Sequence, residues 1–218
     1  MSDFDGFVVD SDEVVGTGGF LAIRRLKLRN LRSDGSVSAQ YTNDLIVRPY
    51  GQDAVAVVIY ARTNGISVLL RDGLRPSIPF GRDASRAPLP EAPPRPFTTE
   101  IVAGILEDHD IGEAGLRTRA AAEVLEEAGF TVDPANVVLL GAGALPSAGS
   151  LTEKVYFTAV EVDPATQQPL GGDGSPMEEA ATTRWMPLEA AISACYSGDI
   201  HDLKTELGLR RLRDALAC

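Results

Sequence analysis

Two largely apolar runs lie in the first third of the chain. The first is AVAVVIYA, Ala54–Ala61, and the second is ISVLLR, residues 66–71, which follows an Asn-Gly pair. Strands that are covered on both faces have continuous apolar runs, whereas strands with one solvated face alternate. The pattern therefore predicts two central strands of a covered sheet.

An alternating pattern with turn residues precedes these runs. Residues 19–47 contain FLAIRRLKLRNL, the turn sequence RSDGS and VSAQYTNDLIV. This pattern predicts a β-hairpin or a small meander. We therefore predict a β-rich N-terminal subdomain over residues 1–50 and a second domain over residues 51–218.

Strand and helix patterns are mixed along the remaining sequence. Strand patterns occupy residues 99–104, 137–145, 154–162 and the segment TTRWMP, in which Trp185 is expected in the core. A helical pattern covers residues 116–128 and ends at Gly129, and two more helical stretches lie near the C-terminus. This order, without internal repeats, predicts an α/β layered fold.

Prolines are concentrated between the second apolar run and the next predicted strand. Seven of the chain's 14 prolines lie between residues 76 and 96. Proline fixes φ and lacks a backbone donor, so neither a helix nor a central strand persists there. The segment is predicted to be a long loop that serves as a lid, a binding or partner loop, or a solvated linker.

The charge balance limits the classes of partner. The chain has 20 Lys plus Arg against 31 Asp plus Glu, a net charge of -11, so it lacks the basic surface that binds a nucleic-acid polymer. A small anionic substrate stays compatible, because a bound cation and a few arginines reverse the potential locally. Cys195 and Cys218 suggest neither a disulfide nor a metal site, and no apolar stretch is long enough for a membrane span. We expect a cytoplasmic protein without membrane association.

Three glutamates share one side of the predicted helix. On a helical wheel, Glu123, Glu126 and Glu127 fall in one arc beside an apolar arc. The apolar arc consists of Ala120, Ala121, Val124, Leu125 and Ala128. Glu123 and Glu127 are one turn apart and can reach the same cation, and such oxygen ligands suit Mg²⁺ or Mn²⁺. The alternative is a solvated helix face.

Residues on both sides of this helix favour the metal-binding interpretation. The segments EIVAGILE and AEVLEEAGF together resemble the Nudix box, whose family pattern is G-x5-E-x7-R-E-U-x-E-E-x-G-U, with U a bulky apolar residue. The matching positions are Gly104, Glu123, Val124, Glu126, Glu127, Gly129 and Phe130. The resemblance implies a Nudix α/β/α sandwich with a mixed sheet, and a substrate in which a diphosphate is linked to a further group.

Two features depart from the family pattern. The segment from Gly104 to Gly129 is four residues longer than the pattern, and Ala122 stands at the position of the box arginine. In the family that arginine helps to hold the loop and the glutamates in place. Arg119 lies one turn before Glu123 and is predicted to compensate through an i,i+4 ion pair.

Features along nearly the whole chain resemble the ADP-ribose and nucleoside diphosphate sugar pyrophosphatase branch of the family. They are the N-terminal β-unit, Glu100 just before Val102-Ala103-Gly104, the loop SAGSLTEKVYF and the segment GDIHDLKT. The resemblance implies a homodimer to which the N-terminal unit contributes, with residues of both subunits lining the site.

Four residues are assigned to the metal by this resemblance. They are Ala103, through its carbonyl, and Glu123, Glu126 and Glu127. The expected cation is Mg²⁺, with Mn²⁺ as an alternative. Glu126 and Glu127 also belong to the expected catalytic set.

Other residues are assigned to the water and the substrate. Glu153 is expected to orient or deprotonate the attacking water, and the alternative is an exposed loop acid paired with Lys154. Arg75, Glu100 and Gly104 are expected to bind the substrate, and an ordinary surface position is the alternative for Arg75.

The function that the resemblance implies is metal-dependent hydrolysis of the diphosphate bond of ADP-ribose or a related nucleoside diphosphate sugar. The products are a nucleoside monophosphate and a sugar phosphate. Ala122 and the longer turn leave open a catalytically weak Nudix-fold module that binds a nucleotide sugar. A third interpretation is a Nudix hydrolase of dinucleoside polyphosphates or nucleoside triphosphates, which the N-terminal unit and the SAGSLTEK loop disfavour.

Overall fold

The computed structural model describes residues 4–48, 50–63, 65–90, 93–171, 174–178 and 180–217. Within these ranges the chain forms ten β-strands and four α-helices. The strands are β1 Phe4–Thr17, β2 Ala22–Arg32, β3 Tyr41–Val47, β4 Ala54–Ala61, β5 Ser67–Leu74, β6 Phe97–Glu100, β7 Val102–Ile105, β8 Val138–Leu139, β9 Val155–Glu161 and β10 Thr182–Pro187. The helices are α1 Ser77–Gly81, α2 Gly112–Ala128, α3 Leu188–Ser197 and α4 Leu203–Leu216.

Strands β1, β2 and β3 form an antiparallel sheet near the N-terminus. β2 and β3 confirm the meander predicted over residues 19–47, and β1 is a strand of 14 residues that the pattern did not predict. Three register shifts interrupt its pairing with β2. Because each shift breaks the two-residue alternation, the strand is hidden from a prediction based on pattern. The division of the chain at residue 50 stays a prediction.

Seven strands form a second, mixed sheet around β4. The strand order is β10-β5-β4-β9-β8, with β6 paired to β5 and β7 paired to β4. Every residue of β4 is buried, and β4 runs parallel to β9 and antiparallel to β5. The two apolar runs are therefore adjacent strands inside the sheet, as predicted.

The segment predicted as one strand over residues 99–104 is two strands. β6 pairs with β5, and β7 pairs with β4. Between them the backbone N–H of Ile101 donates a hydrogen bond of 2.9 Å to Oγ1 of Thr205 in α4. The chain crosses here from one neighbouring strand to the next, which a local sequence pattern does not reveal. The strand predicted over residues 137–145 is likewise reduced to β8, with a single bridge from Ala144 to Val155.

Side chains of β4 alternate between two apolar clusters on opposite faces of the sheet. Val55, Val57 and Ile59 pack with residues of α2. Ala56 and Val58 pack with residues of α3 and α4. The helices therefore cover both faces, which confirms the predicted α/β/α sandwich with a mixed sheet.

Helix α2 begins four residues before the predicted start and ends where predicted. Gly129 terminates it with φ of 73°, a left-handed conformation that glycine adopts without a steric penalty. Leu125, predicted on the packed arc, is 43% exposed. Trp185, predicted in the core, is partly buried and packs edge-to-face against the core residue Phe130, with ring centroids 6.2 Å apart.

The proline-rich segment is mostly irregular, as predicted. Among its described residues, the helical parts are α1, a helix of five residues, and a 3-10 turn at Ala84–Arg86. Elsewhere, Cys195 is buried and unpaired, and Cys218 lies outside the described residues. No helix within the described part of the chain is both long and apolar enough to cross a membrane.

Candidate active site

Helix α2 brings the carboxylate of Glu123 against the backbone of β7 at Gly104. A Cβ atom on residue 104 would lie 1.8 Å from Oε1 and 1.9 Å from Cδ of Glu123, so only glycine leaves space for this carboxylate. The Glu123 side chain is buried between helix and sheet. Gly104, which the sequence assigned to substrate binding, thus lies in the site and makes room for a glutamate.

Glu127 lies one helical turn further along α2 and reaches the same strand. Its Oε2 accepts a hydrogen bond of 3.2 Å from the backbone N–H of Ala103. The N–H and C=O groups of one strand residue point to the same side of the strand. The Ala103 carbonyl therefore faces the side on which Glu127 lies, as its expected role requires. Glu126 is exposed on the same helix.

Burial and mutual repulsion disfavour two charged carboxylates here. Burial, followed by the charges of Glu127 and Glu126, raises the pKa of Glu123 to about 7. Burial also raises the pKa of Glu127, although Arg71 and the Ala103 N–H act in the opposite direction. An added cation would relieve this repulsion, because it favours the charged form of both groups.

The available donor set fits one kind of metal ion. Within the described residues, no group of three or more His, Cys, Asp or Glu side chains is arranged to hold a metal. Two carboxylates and one carbonyl are hard oxygen donors, which suit a cation that keeps several of its waters. Mg²⁺ has this preference, so the residues present fit it without a complete protein cage.

Arg71 and Glu178 belong to this cluster and were not predicted. Arg71 is 3% exposed on β5. Its Nη1 lies 3.4 Å from Oε1 of Glu127, and its Nη2 lies 3.4 Å from Oε1 of Glu178. The available signal was an arginine directly after the apolar residues Leu69 and Leu70 of a predicted central strand, because a buried charge requires a partner. No pattern identified Glu178 as that partner.

A second group of charges surrounds Glu100 at the end of β6. This carboxylate is 3% exposed and forms ion pairs with Arg75 and with Lys204, whose Nζ lies 2.5 Å from Oε2. Asp202 accepts hydrogen bonds of 2.9 Å from Lys204 Nζ and from the backbone N–H of Thr205, and so caps α4. Arg75 and Glu100, both predicted at the substrate, are therefore bonded to each other.

Glu153 has a different environment from the helix glutamates. It forms an ion pair with Arg48, which follows β3, and its alternative partner Lys154 makes no such pair within the described residues. The backbone N–H of Ile46 donates a hydrogen bond of 2.8 Å to the carbonyl of Ser150 in the same loop. The loop that carries Glu153 is thus attached to the N-terminal sheet. No described contact joins Glu153 to the glutamates of α2.

Arg119 stabilises the long turn before α2 instead of pairing with Glu123. Its Nη2 lies 2.8 Å from Glu107 and its Nε lies 2.9 Å from Asp110. Among the described residues it forms no ion pair with Glu123, so the predicted i,i+4 pair is wrong. Its charge still acts at a distance, since it lowers the pKa of Glu123.

Comparison with known proteins identifies the family. No family model matches the chain. The chain is 32% identical, over 155 residues, to a GDP-mannose pyrophosphatase of Cronobacter sakazakii, which covers 71% of this chain and 76% of that protein. The chain belongs to the Nudix hydrolase family. This Nudix hydrolase is also 28% identical to a GDP-mannose pyrophosphatase of Pectobacterium atrosepticum, over 70% of this chain and 68% of that one.

A solved structure supports the fold of this Nudix hydrolase over its whole length. The structure is that of an ADP compounds hydrolase, with a TM-score of 0.67 at 12% identity, covering 100% of this chain and 97% of that one. At this identity the likeness concerns the fold alone. The two relatives place the chain among the Nudix pyrophosphatases. The protein is a Nudix pyrophosphohydrolase.

Proposed function

We propose that this Nudix hydrolase cleaves GDP-mannose, or a closely related nucleoside diphosphate sugar, to a nucleoside monophosphate and a sugar phosphate. The observation that carries the proposal is the contact of Glu123 and Glu127 with the backbone of Ala103 and Gly104. The names of the two relatives favour GDP-mannose over ADP-ribose. ADP-ribose, the substrate implied by the sequence, is the second candidate.

We further propose that Glu123, Glu127 and the Ala103 carbonyl hold a Mg²⁺ or Mn²⁺ ion. A divalent cation bound there would neutralise part of the diphosphate charge and lower the pKa of a bound water. The protein's own contribution is to place two carboxylates on a rigid helix against a rigid strand. Glu126, exposed beside them, extends the acidic surface toward the solvent.

The reaction requires a group that accepts a proton from the attacking water. The water oxygen forms a bond to one phosphorus, the bridging P–O bond breaks, and the water loses a proton to a base. We propose Glu178 as this base, because it shares Arg71 with Glu127: the two guanidinium amino groups lie 3.4 Å from Oε1 of Glu127 and 3.4 Å from Oε1 of Glu178. Glu153, the residue expected from the sequence, is the alternative and is held by Arg48.

Arg75 is the proposed contact for a phosphate of the substrate. Its side chain is 34% exposed at the end of β5, while the carboxylate of Glu100 behind it is almost fully buried. A guanidinium oriented by one carboxylate retains donors for a phosphate. Glu100 itself is engaged by two cationic side chains. Its proposed role is to orient Arg75 and Lys204.

We also propose that two copies pair through the apolar face of the N-terminal sheet, which consists of Phe4, Phe7, Val9, Val14 and Tyr41. Phe4, Phe7, Val9 and Val14 are the cross-strand neighbours of Arg32, Asn30, Leu28 and Arg24 of β2, in that order, and Tyr41 of β3 is a second neighbour of Leu28. Cross-strand neighbours point to the same face of a sheet, so these side chains share one face. Phe7, Val9 and Val14 are 58%, 55% and 59% exposed. Exposed apolar side chains that cluster on one face of a sheet mark a candidate interaction surface, and the polar side chains of Arg24, Asn30 and Arg32 lie among them.

A substrate panel tests the reaction. The purified protein with Mg²⁺ is incubated with GDP-mannose, ADP-ribose, UDP-glucose and a dinucleoside polyphosphate, and alkaline phosphatase then releases phosphate only from cleaved products. We expect the largest kcat/KM for GDP-mannose. The matched control is Glu189→Gln, an exposed acid on α3, which should retain full activity, in contrast to Glu127→Gln. Saturable binding without turnover would instead support a binding module, and preference for the polyphosphate would contradict the proposed substrate class.

A further inference from the structure

Arg71 lies on the face of β5 that is turned toward α2. The cross-strand register pairs it with Glu100 in β6 and with Thr183 in β10. Gly73 follows on the same face, and a Cβ atom there would lie 2.7 Å from Nη1 of Arg71. The guanidinium therefore extends along the strand over Gly73 and toward the helix, because no side chain blocks its path.

The guanidinium joins two acids that are far apart in the sequence. Nη1 faces Glu127 of α2 and Nη2 faces Glu178 of the turn at Pro176–Glu178, each at 3.4 Å. The side chain of Arg71 is 4% exposed, and those of Glu127 and Glu178 are 13% and 21% exposed. A rigid planar fork fixes the directions of both partners, which a single point charge does not.

We propose that Arg71 is a positioning residue that holds Glu127 and Glu178 in their reactive orientations and offsets part of their negative charge when no metal is bound. The inference rests on the proposed function, since it assumes that these two carboxylates take part in hydrolysis. Arg71 thereby links the helix to the turn across the sheet. Among the described residues, Arg71 is a buried cationic side chain that contacts two members of the cluster of Glu123, Glu127 and Glu178.

A direct role of Arg71 in substrate binding does not fit its position. Both terminal amino groups face protein carboxylates, and the remaining donor, Nε, is buried without a hydrogen-bond partner among the described residues. A substrate phosphate would have to reach a side chain that is 4% exposed. Arg75, at the end of the same strand, offers a more accessible guanidinium.

Three variants distinguish a positioning role of Arg71 from the effects of its charge and of its packing. Arg71→Met removes the charge and keeps a long flexible side chain, and Arg71→Lys keeps the charge without the fork. The matched control is Arg184→Met on the neighbouring strand β10, where the arginine forms an exposed ion pair with Asp72. kcat and KM are measured for each with the preferred substrate, and Tm is measured in EDTA and in saturating Mg²⁺.

We expect both Arg71 variants to lower kcat by about tenfold or more while KM changes by less than about threefold, because misplaced groups slow the reaction after binding. Arg71→Met should lower Tm more in EDTA than in Mg²⁺, since an added cation replaces the missing charge. Arg71→Lys should lower kcat with a smaller loss of Tm. Arg184→Met should match the parent protein in kcat.

Two results would overturn the proposal. A large rise in KM at unchanged kcat would make Arg71 a substrate contact. Unchanged kcat, with equal Tm losses in EDTA and Mg²⁺, would make it a purely structural ion pair. If Arg71→Met does not fold, kcat is compared among Arg71→Lys, Glu178→Gln and the double variant. Additive effects on kcat would show that the two residues act independently and would reject the proposal.

The same variants distinguish a failure of this inference from a failure of the proposed function. If the parent protein cleaves no nucleotide sugar, the proposed function fails. The Tm values in EDTA of Arg71→Lys, Glu178→Gln and the double variant still test the contact without any substrate. Non-additive Tm changes would support it, and additive changes would reject it.

Discussion

The carboxyl group of Glu123 occupies the space where a side chain on Gly104 would begin, since a Cβ on residue 104 would lie 1.8 Å from its Oε1. Gly104 is not in a left-handed conformation, so the requirement for glycine is one of space and not of backbone strain. The identity of residue 104 therefore acts directly on the position of a proposed metal ligand.

Gly104→Ala should displace the Glu123 carboxylate and lower kcat by about 100-fold or more, because a shift on the order of 1 Å in a catalytic group has this cost. Steady-state kinetics with GDP-mannose measures the loss. Gly171→Ala is the control, since a Cβ there meets nothing within 4 Å. A kcat of Gly104→Ala equal to that of the parent protein would reject the assignment of Glu123 to the active site.

The raised pKa of Glu123 makes the stability of the metal-free protein depend on pH. Between the usual carboxyl pKa of 4.5 and the native pKa of about 7, the folded state keeps a proton that the unfolded state has lost. The contribution of Glu123 to the free energy of unfolding is therefore largest at low pH and is lost as the pH rises through 7.

Glu123→Gln isolates this effect, because glutamine resembles the protonated acid and does not titrate. In EDTA, the Tm of the parent protein relative to Glu123→Gln should fall by roughly 3–10 °C between pH 5.5 and 8. Thermal unfolding followed by circular dichroism provides the values. A difference that stays constant over this range would contradict the shifted pKa.

Two acids compete for the role of base, and their glutamine variants decide between them. Glu178→Gln should lower kcat by about 100-fold, as expected for loss of a general base. Glu153→Gln should lower it by less than about tenfold, because Glu153 is bound to Arg48 in the loop beside the N-terminal sheet. A larger loss of the single-turnover rate in Glu153→Gln than in Glu178→Gln would instead identify Glu153 as the base.

Adjacent valines in β1 provide a matched test of the proposed dimer. Val9 lies on the apolar face of the N-terminal sheet, opposite Leu28, whereas Val8 lies on the other face, opposite Arg29. Val9→Glu should shift the protein toward monomer in light scattering at low micromolar concentration, because a buried charge is costly at an interface. Val8→Glu should leave the mass unchanged. Equal masses for both variants would argue against this face.

The central part of the fold could be predicted because its sequence signals are local. The apolar run of β4 and the Gly129 helix end each depend on residues that are adjacent in the sequence. β1 could not be predicted, because its bulges break the alternation. The split of residues 97–105 into two strands depends on which neighbours are present, and that information is not local.

The candidate site shows the same division. Glu123 and Glu127 were found because helical spacing brings them together, and Ala103 and Gly104 through the resemblance to the Nudix box. Arg71 and Glu178 are 107 positions apart in the sequence, so a local periodic pattern could not predict their contact. The partner of Arg119 was predicted incorrectly, since helical spacing alone did not include the acids of the preceding turn.

The crossing of the chain between β6 and β7 determines where its length can vary. Glu100 is fixed by its cationic neighbours, Ile101 by Thr205, and Gly104 by Glu123. Inserting or deleting one residue in this interval would turn every later side chain to the opposite face of the sheet. The turn after Ile105 lies outside this interval, and Arg119 forms ion pairs with two of its acids, Glu107 and Asp110. A change of length in that turn is therefore expected to disturb the sheet less than a change between Glu100 and Gly104.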